Sequence, residues 1–191
     1  MSVKNFKLYK PYGYLSQFIN NQTSRKNKKL LGDLHPFPLN TMAIGRLDED
    51  SEGLLLLTTS GLVSERVRST NVEKEYFVQV DGIITPEAIY KMETGLVIGI
   101  NGKKYKTLPC NVSYLSKAPN LPERAKNIRD ERHGPTSWAS ITLTEGKFRQ
   151  VKKMTASVGF PTLRLVRTRI GNEYLDKLMP GEIMEVQNFN L

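Results

Sequence analysis

Four consecutive leucines, Leu54–Leu57, restrict the folding of this chain more than any other feature. A strand turns successive side chains to opposite faces, so a run of four must be covered on both sides. Gly53 precedes the run, and the turn-forming Thr59, Ser60 and Gly61 follow it. Those bounds give a segment of strand length, far short of a membrane span. A sheet built around residues 54–57 is therefore expected. Just ahead lies GRLDEDSEG, where Asp48, Asp50, Glu52 and Gly53 occupy positions one, three, five and six of a calcium-loop template. The twelfth position of that template needs a bidentate glutamate and holds Thr59, and a strand rather than a helix follows. No metal is assigned to this loop.

The remaining elements follow from periodicity and punctuation. NFKLYKPYGYLSQF reads as a strand that turns at Pro11–Gly13. Residues 20–40 carry the basic run Arg25, Lys26, Lys28 and Lys29, then HPFP, and read as a loop or irregular excursion. GLVSERVRS suits a short helix with Leu62, Val63 and Val67 inward. In EKEYFVQVDG, Tyr76, Val78 and Val80 alternate with Phe77 and Gln79, a strand pattern. TPEAIYKMETG is a punctuated helix, with Thr85 as its N-terminal cap, Pro86 in the first turn and Gly95 at the stop. Asn101–Gly102 between two extended runs signals a hairpin. Residues 116–137, with their prolines and cations, read as a long loop or protruding hairpin.

WASITLTEGKF then resumes a strand with Ala139, Ile141 and Leu143 facing one way. From Phe148 a helix is expected, with Phe148, Val151, Thr155 and Val158 on one side. Arg149, Lys153 and Ala156 take the other side, Lys152 lies at the border, and Gly159 ends it. TLRLVRTRIG is a strand with Arg167 and Arg169 on one face. Helices are few and strands mostly meet through turns. The fold class expected is α+β, with a mixed, largely antiparallel sheet.

Charge narrows the function. Twenty-eight lysines and arginines face nineteen acids, a net charge of +9, which points to a polyanionic partner and to nucleic acid first. Cationic clusters at 25–29, 124–132 and 164–169 would neutralise phosphates. Cys110 is the only cysteine, so an intramolecular disulfide and a thiolate zinc site are excluded. The first twenty residues contain no continuous apolar stretch, and a cytoplasmic protein without membrane attachment is expected. His35 and His133 lie in separate proline-containing loops, and neither a G-x-S-x-G elbow nor a G-x-x-x-x-G-K loop occurs.

A carboxylate in a basic setting remains. Asp48 lies two residues after Arg46 and just ahead of the apolar strand. Nearby cations favour the ionised form of a carboxylate, and an ionised carboxylate can attack an electrophilic carbon. Two readings stay open on the residues alone: Asp48 as a nucleophile, or Asp48 and Arg46 as a structural ion pair with Asp50 and Glu52 solvated.

GRLDEDSEGLLLLT resembles the signature of the RsuA-type ribosomal pseudouridine synthases, G-R-L-D-x-x-[ST]-x-G-L-L-[LIV]-L-T. The resemblance spans most of the chain. YKPYG resembles the family's Lys-Pro-x-Gly segment, EKEY its Lys-x-Tyr segment, EGKFRQVKKM its E-G-x-x-[RH]-Q-[VI]-[KR]-[RK]-M segment, and LRLVRTRIG its L-x-R-x-x-[IM]-G ending. PTSWASITLTEG resembles a stretch typical of a branch that acts on the large subunit. Thr59–Ser60 departs from the pair many members carry after the leucine-threonine run.

The resemblance implies an isomerase that needs no cofactor and converts uridine to pseudouridine in ribosomal RNA, of the 23S kind. It implies one catalytic domain over 1–191, formed of two lobes with the active-site cleft between them, acting as a monomer. The chain begins almost at the Lys-Pro segment, so no S4-like domain is expected ahead of it. Asp48 would be the catalytic aspartate, Tyr76 would stack on the flipped uracil and take a proton, and Lys152 would keep the aspartate ionised. Arg46 would fill the gap left by the flipped nucleotide, and Lys10, Arg149, Lys153, Arg164 and Arg167 would contact the RNA. Extrusion suits the chemistry, because uridine C5 is out of reach inside a stacked helix. Without the family, Tyr76 reads as a core tyrosine and Lys152 as a solvated helix lysine. A catalytically silent RNA-binding assembly factor on the same scaffold is the alternative.

Overall fold

The computed structural model describes residues 2–20, 27–69 and 72–191. Arg25 and Lys26 of the basic run therefore lie outside the described residues. The fold is α+β, and its main sheet is largely antiparallel. Two compact units divide the chain. The first joins Met1–Val72 to Arg167–Leu191, and the second is Glu73–Val166.

The first unit is organised around β3 (Glu52–Thr58), all seven of whose residues are buried. β1 (Asn5–Lys10) pairs antiparallel along one edge of it, in a register that sets Lys10 opposite Gly53 and Asn5 opposite Thr58. β2 (Met42–Ile44) pairs antiparallel with its far end, Ile44 opposite Leu56. β11 (Ile183–Val186) closes the outer side of β1, and β10 (Glu173–Tyr174) pairs with the end of β9 (Thr162–Ile170). The four leucines have no exposed surface, as their run requires. At about 1.5–3 kcal/mol each, their burial is a large apolar contribution to the fold.

On one face, Leu55 and Leu57 pack with Phe6, Leu8 and Leu31, and Phe18, Leu34 and Phe37 cover that cluster. Residues 27–40 are thus not a plain excursion. A one-turn 3-10 helix at Leu31–Asp33 buries Leu31, and Phe37 of HPFP sets its ring edge-on to Phe6, Phe18 and His35. The first helix, α1 (Gly61–Ser69), also departs from expectation: Leu62 is 80% exposed, while Ser64 and Val67 face inward.

The second unit is built on three antiparallel strands, the middle one later in sequence than both its neighbours. β4 (Lys74–Asp81) pairs with β8 (Thr136–Leu143), Tyr76 opposite Ile141, and β8 pairs with β7 (Asn111–Leu115). Alternate burial of Tyr76, Val78 and Val80, and of Ala139, Ile141 and Leu143, follows the expected period of two. α2 (Pro86–Glu93) is capped by Thr85, whose hydroxyl accepts from Ala88 N–H. A separate two-stranded ribbon pairs β5 (Val97–Ile100) with β6 (Lys103–Lys106). Asn101 and Gly102, at φ 48° and 77°, make the tight turn that right-handed strand twist favours.

α3 (Gln150–Ser157) starts two residues later than expected. Arg149 takes a left-handed conformation at its N-terminal cap, so Phe148 sits outside the helix and is 61% exposed. Gln150, Val151, Met154 and Thr155 form the buried face instead. The boundary between the units falls inside β9, after Val166.

Candidate active site

In the first unit, the segment from Gly45 to Ser51 links β2 to β3. Arg46 is exposed, Leu47 is buried, and Asp48, Glu49 and Asp50 are half-buried. The backbone around Asp48 is held from several sides. Ser16 Oγ donates to Leu47 O at 2.8 Å and accepts from Leu47 N–H at 2.9 Å, a reciprocal clamp on the preceding residue. Glu49 O accepts from Gly13 N–H at 2.8 Å, and Ser51 N–H turns back to Asp48 O at 3.1 Å. Lys28 Nζ lies 2.6 Å from the Glu49 carboxylate. A carboxylate on a turn fixed in this way is pre-oriented, the condition under which position contributes to rate.

The acidic alternation surrounds a built-in cation rather than a metal template. Lys10 has no exposed surface, and its ammonium donates to Pro11 O at 2.9 Å and Tyr14 O at 2.7 Å. Burial pushes its pKa down to about 7, while Glu52, Asp50, Asp48 and Glu49 pull the other way. The cause is the register of β1 on β3: setting Lys10 opposite Gly53 brings it beside the acids that precede that glycine. Lys10 was expected at the RNA. Without exposed surface it cannot reach a phosphate; its hydrogen bonds hold the KPYGY turn, and the acids of the Asp48 segment act on it through their charge.

Gly53 has its own constraint. Its φ is 105°, and a Cβ there would lie 2.3 Å from Arg167 O and 2.7 Å from Arg167 N. Only glycine admits the neighbouring backbone so closely. Arg167 is also removed from the expected RNA contacts: it is 5% exposed and its Nε donates to Leu54 O at 2.8 Å. Arg169 is half-buried and donates to Gly171 O.

In the second unit, Tyr76 is 9% exposed on the inner face of β4. Lys152 is half-buried on α3, beside the buried Val151. Lys153, likewise half-buried, donates from Nζ to Gly99 O at 2.7 Å and lies 5.1 Å from the centre of the Phe148 ring. Arg149 is exposed. Arg164 corrects the expectation of a surface cation, because it is 7% exposed and donates to Pro122 O at 2.8 Å. Of the cluster at 124–132, Arg124 donates to backbone oxygens including Leu163 O, and Arg129 pairs with Asp81.

Sequence reasoning missed Ser16 and Lys28 as supports of the Asp48 segment. Ser16 sits in no recognisable motif, Lys28 was expected with the cluster at 25–29 to neutralise phosphates, and both meet that segment only through tertiary folding. Among the described residues no helix is long and apolar enough to cross a membrane.

Comparison with known proteins bears on the whole arrangement. The sequence profile of the RNA pseudouridylate synthase family matches residues 6–157. Ribosomal large subunit pseudouridine synthase E of Vibrio parahaemolyticus is 41% identical over 180 residues, covering 93% of this chain and 71% of the relative. The protein of the same name from Xanthomonas axonopodis pv. citri is 41% identical over 175 residues, covering 91% and 88%. Among solved structures, a crystal structure of a pseudouridylate synthase superposes with a TM-score of 0.73 at 27% identity, covering 97% of this chain and 70% of that one. A Cbf5-Nop10-Gar1 complex shares the fold at 14% identity, with a TM-score of 0.56 over 91% of this chain and 50% of the matched one.

Proposed function

Because the chain belongs to the RNA pseudouridylate synthase family, we propose that it isomerises one uridine of 23S ribosomal RNA, flipped from its helix, by covalent catalysis from Asp48. The reaction exchanges one bond for another. The bond from ribose C1′ to N1 breaks, the bond from C1′ to C5 forms, the C5 hydrogen leaves as a proton, and N1 takes one up. Nothing is oxidised or reduced, so the chemistry calls for no cofactor. Asp48 is the nucleophile, attacking the ribose or the base. Tyr76 is the ring that stacks on the freed uracil, and Lys152 is the basic residue that favours the ionised nucleophile. Arg46, Arg149 and Lys153 are the RNA contacts in this reading. One catalytic domain, working as a cytoplasmic monomer, completes it.

The observation that carries the proposal is the support around Asp48. Ser16, Gly13 and Ser51 hold the backbone of its segment, while Asp48 as a whole is only half-buried. The 41% identity to two ribosomal large subunit synthases supports the choice of substrate. Tritium release from RNA labelled at uridine C5 is the direct test. Asp48→Asn is expected to abolish release while RNA affinity stays within a few-fold. Equal release from the variant removes Asp48 from the mechanism. Bound RNA without release by the unaltered protein favours the silent assembly factor.

A further inference from the structure

The ribbon β5–β6 lies outside every motif discussed so far, yet it carries a concentrated charge. Lys103, Lys104 and Lys106 are all exposed on it. No carboxylate occurs from Val97 to Leu108. The ribbon is also joined to the start of α3, which adds Lys147, Arg149 and Lys153. Lys153 Nζ donates to Gly99 O at 2.7 Å, and Lys147 Nζ sits 4.9 Å from the centre of the Tyr105 ring.

The one carboxylate between residues 145 and 153 is Glu145. Its oxygens are engaged by the Tyr105 hydroxyl, by Leu108 N–H at 2.9 Å and by the Gln150 amide. Glu145 is thus engaged in binding ribbon to helix, and Lys103, Lys104, Lys106, Lys147 and Arg149 are exposed on the two elements. Two further features point to a ligand. Phe148, a large ring, is 61% exposed beside Lys153. Arg149 is held at φ 53°, a conformation that costs a residue with a side chain, and it is exposed there. Cations that track a backbone, interleaved with an exposed ring, match the chemistry of a nucleic-acid strand rather than a folded acidic protein.

We propose that the β5–β6 ribbon and the 147–153 segment form one phosphate-tracking surface for the RNA strand that flanks the target uridine. The inference rests on the ribosomal RNA reading above and adds the ribbon lysines to Arg149 and Lys153 as contacts for the strand.

The test compares two triple variants of equal charge loss. One is Lys103→Gln, Lys104→Gln and Lys106→Gln. The other is Lys91→Gln, Lys117→Gln and Lys177→Gln, exposed lysines elsewhere. Binding to a 23S ribosomal RNA fragment is measured across a salt series. Each lost phosphate contact lowers the logarithmic salt slope by about 0.7–0.9, so the ribbon triple is expected to lower it by roughly two and to weaken binding at least tenfold. The control triple is expected to move affinity less than about twofold, by the same reasoning. Lys104→Glu alone gives an independent check and should weaken binding in the same direction. Equal slopes for the two triples overturn the proposal. Because binding is read without turnover, absent tritium release by the unaltered protein would sink the function above and leave this result decisive for the surface.

Discussion

Lys10 can be examined through the pH dependence of stability. In the folded protein its pKa is down at about 7, against an ordinary value of 10.5, because burial penalises the charge. The unfolded chain keeps its proton until the ordinary value is reached. Between the two values the unfolded state binds one proton more than the folded state, so stability rises with pH. That contribution is complete above the unfolded value and is lost as pH falls through about 7. Linkage between these two pKa values gives a gain of about 2 kcal/mol from pH 7 to pH 9, with a slope approaching 1.4 kcal/mol per pH unit. Lys10→Met removes the titration and keeps an unbranched side chain. It also leaves Pro11 O and Tyr14 O without their donor, a loss that adds a constant offset. Urea unfolding of both proteins over this range yields a difference curve in which every other titrating group cancels. The difference, unaltered protein minus variant, is expected to climb by about 2 kcal/mol. A curve that stays flat or falls refutes the buried, partly neutral lysine and with it the account of the acidic turn.

Two further outcomes follow from single positions. Gly53→Ala combines an unfavourable positive φ with a Cβ 2.3 Å from Arg167 O, and a loss of roughly 2–6 kcal/mol is expected in urea unfolding; a change under about 1 kcal/mol would contradict the close approach. The Cys110 thiol is pushed up to about 11 from 9.0 by burial, then Glu93 and Glu145, so its thiolate fraction near neutral pH is about a hundredfold below that of a free thiol. Iodoacetamide labelling followed by mass spectrometry should therefore be slow in the folded protein and accelerate with pH; labelling as fast as that of glutathione would exclude the shift.

Much of the architecture is legible because it depends on neighbours in sequence. The leucine run, the alternation in β4 and β8, the Thr85 cap and the Asn101–Gly102 turn are each written within about ten residues. What depends on register between distant strands is not. Lys10 looks like a surface cation until β1 is set opposite β3, and Arg164 and Arg167 look like phosphate ligands until their strand is covered on both sides. Phe148 misled for a local reason, since helical spacing cannot reveal that Arg149 would break the helix at a left-handed residue. The Asp48 turn was recognised by its motif, but its supports, Ser16 and Lys28, reach it only through contacts between distant segments. The Phe37 anchor in residues 20–40 was hidden by the polar composition around it.

The division of the chain inside β9 has a consequence for biosynthesis. The first unit receives its last strands only after the ribosome has translated the whole of Glu73–Val166, roughly ninety residues. At about 5–20 residues per second, the roughly 175 residues that separate β1 from β11, its partner at Asn5 and Val186, take on the order of 9–35 seconds to make. During that interval one edge of β1 stands bare, while the intervening unit already has all the chain it needs to condense. A messenger cut short before Ile183 would leave that edge open, so the codons for Ile183–Val186 act as the seal on a strand made some 175 residues earlier.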